Sequence, residues 1–174
     1  MNETVAPPAE KRSVPRSDPA FLSADEQDAM HRALRAIVEG TATATGTEFF
    51  YALVRELAQA LNVRHAFVSE LLESGARVRT LAFWFDGKLI DNFEFDLDGT
   101  PCEIVIRGET VYYTRKVYEM FPRHPELKEM GIESYFGVPL VSESGNEMMG
   151  HLAVMHNQPM VKEFRGMALL RIFA

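Results

Sequence analysis

The 174-residue chain has a single cysteine, Cys102, and a single tryptophan, Trp84. One thiol excludes an internal disulfide and a multi-thiolate metal centre, and it suits a reducing compartment, so a cytoplasmic location is expected. No apolar run approaches the roughly 20 residues of a membrane span, and the N-terminus lacks an apolar signal segment. Basic residues are in the minority, 18 Lys and Arg against 25 Asp and Glu, for a net charge of -7. That balance argues against a nonspecific grip on nucleic acid or on an anionic membrane. Neither a P-loop nor a GxGxxG fingerprint occurs. The nearest glycine cluster, Gly137 to Gly150, falls in an apolar hairpin, so phosphate chemistry has no local support.

What the chain does contain is apolar patterning. Hydrophobic residues make up 47%, enough at this length for one domain with a core of its own. Four of the nine prolines (Pro7, Pro8, Pro15, Pro19) fall in residues 1–22, which read as a disordered leader ahead of one domain over 23–174. Ser23 with Glu26 matches a capping box, and Met30, Leu34, Ile37 and Val38 form a helical stripe that ends at Gly40. Thr47 is the expected cap of a second helix, which buries Phe50, Leu53, Val54, Leu57 and Leu61 and stops at Asn62. From Arg64 the period becomes that of strands: His65 to Leu72, Val78 to Phe85 and Leu89 to Phe95, the last two joined by the hairpin signal Asp86-Gly87. Thr100-Pro101-Cys102-Glu103 opens a short helix, with Thr100 as cap and Pro101 at the first position. A short strand is expected over Thr110 to Thr114, and short helices near Val117 to Phe121 and Pro125 to Met130. Gly131 to Pro159 organises the rest, as two apolar strands joined by a Ser/Gly/Asn turn and placed at the centre of a sheet. Lys162 to Ala174 reads as an amphipathic helix that ends in apolar residues, and the expectation is a truncated helix that continues into another module.

This order predicts an α+β fold. A five- or six-stranded antiparallel sheet would carry the N- and C-terminal helices on one face and a lid, residues 98–130, on the other. A small ligand would fit between sheet and lid. Trp84, Phe136 and Tyr112 are the candidate walls. Cys102 and Asn92 are the candidate polar contacts, Asn92 only if its strand bulges or its face is the covered one. The competing reading is a collapsed pocket filled by Trp84 and Phe136 themselves. Neither catalytic nor metal-binding residues are assigned: no histidine pair has metal-ligand spacing, and His151 and His156 point to opposite faces of a regular strand, although either could still serve as a lone axial ligand. Asp91, Glu94, Asp96 and Asp98 read as a solvated edge. Arg115, Lys116 and Arg123 read as surface charge flanking the lid.

Three stretches, FFYALVRELAQALNVRHAFVSEL, VRTLAFWFDGKLIDNFEFDLDGTPCEIV and GIESYFGVPLVSESGNEMMGHLAVMHNQP, resemble the GAF domain over about residues 30 to 174. The third is similar to the family's strand ending in Val-Pro-Leu, its turn and its returning Gly-His-Leu strand. The middle stretch resembles GAF domains placed ahead of histidine kinase, nucleotide cyclase or transcription-activator modules in bacteria. The resemblance implies a sensor of an unknown small metabolite. Such a sensor would pair as a homodimer through its terminal helices and relay ligand state to an output module on its C-terminal side. Ligands in the family range from cyclic nucleotides to haem, bilins and small metabolites, so the cofactor stays unknown. Thr-Pro-Cys-Glu lacks the histidine that follows cysteine in bilin-binding relatives, and one thiol cannot form the intramolecular disulfide of GAF-type methionine sulfoxide reductases. The alternatives are a ligand-free dimerisation scaffold and a redox enzyme or sensor working through Cys102, whose position near a helix start would stabilise a thiolate.

Overall fold

The computed structural model describes residues 24–142, 144–145, 147–160, 169–170 and 172. The leader over 1–22, the Ser23 cap and most of the expected C-terminal helix lie outside the described residues. Among these last residues, Leu169 and Leu170 have helical backbone and are fully buried. Two helices open the described chain, α1 (Ala24–Thr41) and α2 (Thr47–Ala60). The strands are β1 (His65–Leu71), β2 (Arg77–Phe85), β3 (Lys88–Ile90), β4 (Glu94–Asp96), β5 (Val111–Tyr113), β6 (Ser134–Val141) and β7 (Met148–His156). They form one antiparallel sheet in the order β3-β2-β1-β7-β6-β5, with β4 also paired to β2. Three short helices, α3 (Pro101–Ile106), α4 (Val117–Met120) and α5 (Pro125–Glu129), belong to the segment between β4 and β6.

The α+β architecture is the one expected, and the β6–β7 hairpin does sit inside the sheet. Among the described residues there are seven strands, because the expected strand 89–95 is two strands. Asn92 Nδ2 donates to the Leu81 carbonyl at 3.0 Å, and the Phe93 amide donates to Thr80 Oγ1 at 2.9 Å. These side-chain bonds replace ladder bonds where β3 ends and β4 has not begun, opposite a bulge between β1 and β2 at Val68/Ser69. At the other end of β2, Asp86 and Gly87 take φ of 48° and 90°. Positive φ at both central residues is what a tight two-residue hairpin turn demands.

Strand alternation divides the core in two. Ala66, Val68, Phe136, Val138, Leu152 and Val154 face α1 and α2, where they meet Ile37, Leu53, Val54 and Leu57. Phe67, Phe83, Tyr135, Ala153 and Met155 face the lid, where they meet Cys102, Val105, Val117 and Ile132. Two local expectations need correction. Val38 is 50% exposed because its neighbour Ile37 takes the buried position, about 100° around the helix. Thr47 is the first residue of α2 rather than its cap; Gly46, at φ 57°, precedes it and no side chain caps the helix.

Close approach at Gly150 holds β1 against β7. A Cβ there would lie 1.9 Å from the Ser69 carbonyl oxygen, which is backbone and cannot rotate away. Gly150→Ala is therefore expected to destabilise the domain by about 1–3 kcal/mol, the usual range for overpacking. Met149→Ala next to it, at a side chain 57% exposed, should stay within about 0.5 kcal/mol. Urea titration of both variants checks this, and equal midpoints would refute it.

Candidate functional site

Between the sheet and the lid lies a cavity of about 360 Å³, within the range of small-molecule sites. Its sheet side carries Phe67, Phe83, Tyr135 and Met155, its edge Phe93 and Phe95, and its lid side Pro101, Cys102, Leu127 and Met130. The local sequence accounts for the lid's anchorage. Thr100 Oγ1 accepts from the Glu103 amide at 3.2 Å while Glu103 Oε2 accepts from the Gly99 amide at 2.9 Å. This pair, a capping box shifted by one residue at its carboxylate end, starts α3 and sets Cys102 at the cavity wall.

The expected site residues separate across the sheet. Cys102 lines the cavity. Phe136 is fully buried on the helix-facing side, with Trp84 and Tyr112 packed against the same cluster. Phe136 and Tyr112 meet edge-on at 5.7 Å. Asn92 is exposed and bonded to backbone at the β3–β4 break. The alternation of β2, β5 and β6 puts these aromatics one residue out of phase with the cavity: Trp84 follows Phe83, and Phe136 follows Tyr135. Of the cavity's own phenylalanines, Phe93 and Phe95 stand two residues apart, the spacing that puts both on one face of an extended chain, and that was the available signal.

Cys102 does not sit in the thiolate-stabilising setting that its helix position suggests. Burial pushes its pKa up to about 12, against smaller opposing effects of the Tyr135 and Thr100 hydroxyls. The Tyr135 hydroxyl lies 3.5 Å from Cys102 Sγ. Tyr135 itself lies over Gly137, where a Cβ would come 2.5 Å from the phenol oxygen. Glycine is what lets this ring lie along its own strand and reach the lid.

The later part of the lid is fastened to its own start, the loop before α3. Arg123 Nη2 pairs with Asp98 Oδ2 at 3.1 Å and lies across Gly99. His124 Nδ1 lies 2.6 Å from Glu126 Oε1, and its Nε2 lies 2.8 Å from the Asp98 carbonyl oxygen. Both partners accept, so only the imidazolium donates to both. Burial holds the His124 pKa down, but the bonds to Glu126 and Asp98 and the Glu126 charge outweigh it, with Arg123 opposing; the net shift is upward.

The other buried histidines are lowered. His151 reaches Ser69 Oγ at 2.6 Å through Nδ1, and burial takes its pKa to about 3. His65 stacks on Phe85 at 4.4 Å, and burial, with Arg64 assisting, takes it to about 4. Neither lines the cavity. His156 Nδ1 accepts from the Arg64 amide at 3.3 Å. Among the described residues, no group of three or more His, Cys, Asp and Glu could hold a metal, and no helix is long and apolar enough to cross a membrane.

A sheet with helices on one face and a lidded cavity on the other is the build of a small-molecule-sensing regulatory domain. The GAF domain family model matches residues 45–174, and the chain belongs to that family, whose members serve as regulatory domains in signalling proteins. Solved structures agree in fold. The GAF domain of an Acinetobacter phosphoenolpyruvate-protein phosphotransferase has 18% identity and a TM-score of 0.60, covering 87% of this chain and 89% of that one. The GAF domain of a phosphoenolpyruvate-protein phosphotransferase from Coxiella burnetii has 17% identity and a TM-score of 0.63, covering 83% and 88%. The chromophore-binding domain of a bacteriophytochrome from R. palustris has 12% identity and a TM-score of 0.63, covering 84% of this chain and 59% of that one. No curated protein matches the sequence significantly.

Two outcomes follow from these environments. Under native conditions Cys102 should react with iodoacetamide far more slowly than in the urea-unfolded chain, by about a hundredfold or more at pH 8, because both access and ionisation are suppressed. Equal rates, followed by mass spectrometry, would overturn this. The His124 bonds, with a raised folded pKa, stabilise fully below about pH 6.5 and are lost as pH rises through that raised value. His65 and His151 act oppositely: their stability is complete above about pH 6.5 and is lost as pH falls toward their lowered values. The melting-temperature gap between the parent and His124→Ala should therefore narrow from pH 6 to 8, a comparison that cancels the other two. A constant gap would remove the latch.

Proposed function

We propose that the chain senses a small metabolite held between sheet and lid and relays its presence through the terminal helices to a linked output module, as one half of a homodimer. The cavity carries this reading. Cys102 is the ligand-contacting member of the expected set. Trp84, Phe136 and Tyr112 serve on the far side of the sheet, where the ligand's effect is passed on, and Asn92 shapes the cavity edge by holding the β3–β4 break open.

The route between the two faces is short. Tyr112 on β5 donates its hydroxyl to the Met160 carbonyl, and the Met160 amide donates to the Thr114 carbonyl at 3.0 Å. β5 leads through residues 114–116 straight into α4 of the lid. A shift of the lid therefore pulls on the same strand that holds residue 160, the approach to the C-terminal segment. The exposed Val38 on α1 gives a second chain an apolar contact, which supports helix pairing in both the sensor and the ligand-free scaffold readings.

Trp84 separates those two readings, since it is the one tryptophan and lies across the sheet from the cavity. A metabolite fraction from the native cell that occupies the cavity at about a hundred times its dissociation constant should stabilise by about 2.7 kcal/mol. The expected result is a melting rise of several degrees together with a shift in Trp84 emission, both abolished by Leu127→Phe, which fills the cavity from the lid. A melting rise with unchanged emission would sink the relay. Dimer formation with no response to any fraction would favour the scaffold.

A further inference from the structure

Which class of molecule the cavity accepts can be read from its walls. Four phenylalanines form a closed circuit along its sheet side and edge. Phe67 and Phe83 have ring centroids 5.4 Å apart, Phe83 and Phe93 5.8 Å, Phe93 and Phe95 5.9 Å, and Phe95 and Phe67 6.4 Å. These spacings are those of favourable aromatic contact. Opposite and beside them lie Met130, Met155 and Leu127, and thioethers pack well against ring edges. Phe93 is 41% exposed. A large ring left half wet at the rim of an aromatic wall is surface that a bound partner would cover.

Polar groups of the lining are already engaged with partners in the protein. Thr80 Oγ1 accepts from the Phe93 amide, and Thr100 Oγ1 donates to the Leu97 carbonyl at 2.7 Å. The Tyr135 hydroxyl points at Cys102, and both nitrogens of His124 are taken. Arg77, the guanidinium of the lining, binds two carboxylates, Glu94 at 2.9 Å and Asp96 at 3.1 Å. An anionic ligand would have to draw Arg77 from both of them while approaching Glu126, so it would meet more negative charge than positive. A polyhydroxylated ligand would find few free partners, and its own groups would be left unsatisfied.

We infer that the cavity selects a flat, uncharged aromatic molecule and rejects anions of the same shape. The inference rests on the sensor reading above and narrows it. It sets this domain apart from sites that hold a phosphate or a carboxylate with an Arg or Lys left free to meet the charge.

Calorimetric titration at pH 7 with three probes of one shape class tests it: 2-naphthol, 2-naphthoate and 2-decalol. The first is flat and uncharged, the second carries a carboxylate, and the third is saturated. The expected order has 2-naphthol tightest. 2-Decalol should be about fivefold weaker, the step that aromatic pairing energies imply, and 2-naphthoate about tenfold weaker or more. Phe93→Ala, at a half-exposed side chain, should weaken 2-naphthol about fivefold while the domain stays folded, its melting temperature lower by a few degrees. Equal affinity for 2-decalol overturns the aromatic selectivity, and equal or tighter binding of 2-naphthoate overturns the charge selectivity. Either result leaves the sensor reading in place. Absence of heat from all three at millimolar concentration overturns the inference outright. The sensor reading then stands or falls separately, on whether a cell metabolite fraction still raises the melting temperature of the parent but not of Leu127→Phe.

Discussion

The domain depends on β7 being paired along both edges and buried on both faces. β1 lies on one side and β6 on the other, and residues from Gly150 to Met155 are all buried. A strand in that position sends every second side chain to a different core, so its sequence writes two interiors at once. Leu152 and Val154 belong to the helix layer, whereas His151, Ala153 and Met155 belong to the lid side. Small residues make the arrangement possible. Gly150 admits a neighbouring carbonyl, and Gly137 on β6 leaves room for the Tyr135 ring. With two independent interiors sharing one sheet, a change in the lid layer is felt in the helix layer only through the strands themselves or through segments that run around the sheet's edge. β5 and residue 160 are such a segment.

Much of this was legible in the sequence. The hairpin, the positive-φ turn at Asp86-Gly87 and the Thr100–Glu103 start of α3 are local features with local causes, and each appears where its residues demand. The GAF resemblance carried the architecture. Less legible was anything that turned on phase. Trp84 and Phe136 are large aromatics on the right strands, yet each is one residue away from the cavity, and a sheet covered on both faces gives no polar alternation to say which face is which. The β3–β4 break was also hidden. It depends on the Thr80 and Asn92 side chains replacing ladder bonds, a tertiary substitution with no signature beyond two ordinary polar residues.

Cysteine illustrates how far position within an element falls short of environment. Near the start of a helix a thiol can be activated, but α3 is six residues long and Cys102 is 6% exposed. Desolvation outweighs the opposing hydroxyl contacts, and the thiol is held protonated at the cavity wall. His124 is the converse. It attracts little notice as a lone histidine before a proline, and its weight comes entirely from two acceptors converging on its ring, one of them a backbone carbonyl that no sequence pattern advertises.

The tie between Tyr112 and the Met160 carbonyl bears on how this module can be recombined with others. A fusion joint drawn upstream of residue 160 would remove Met160 and with it both hydrogen bonds of the clasp, leaving β5 tied to the sheet through β6. A joint drawn downstream keeps the clasp and lets foreign effectors inherit it. Engineers grafting this domain onto a new reporter have, in that one phenol, a marker for the earliest workable splice.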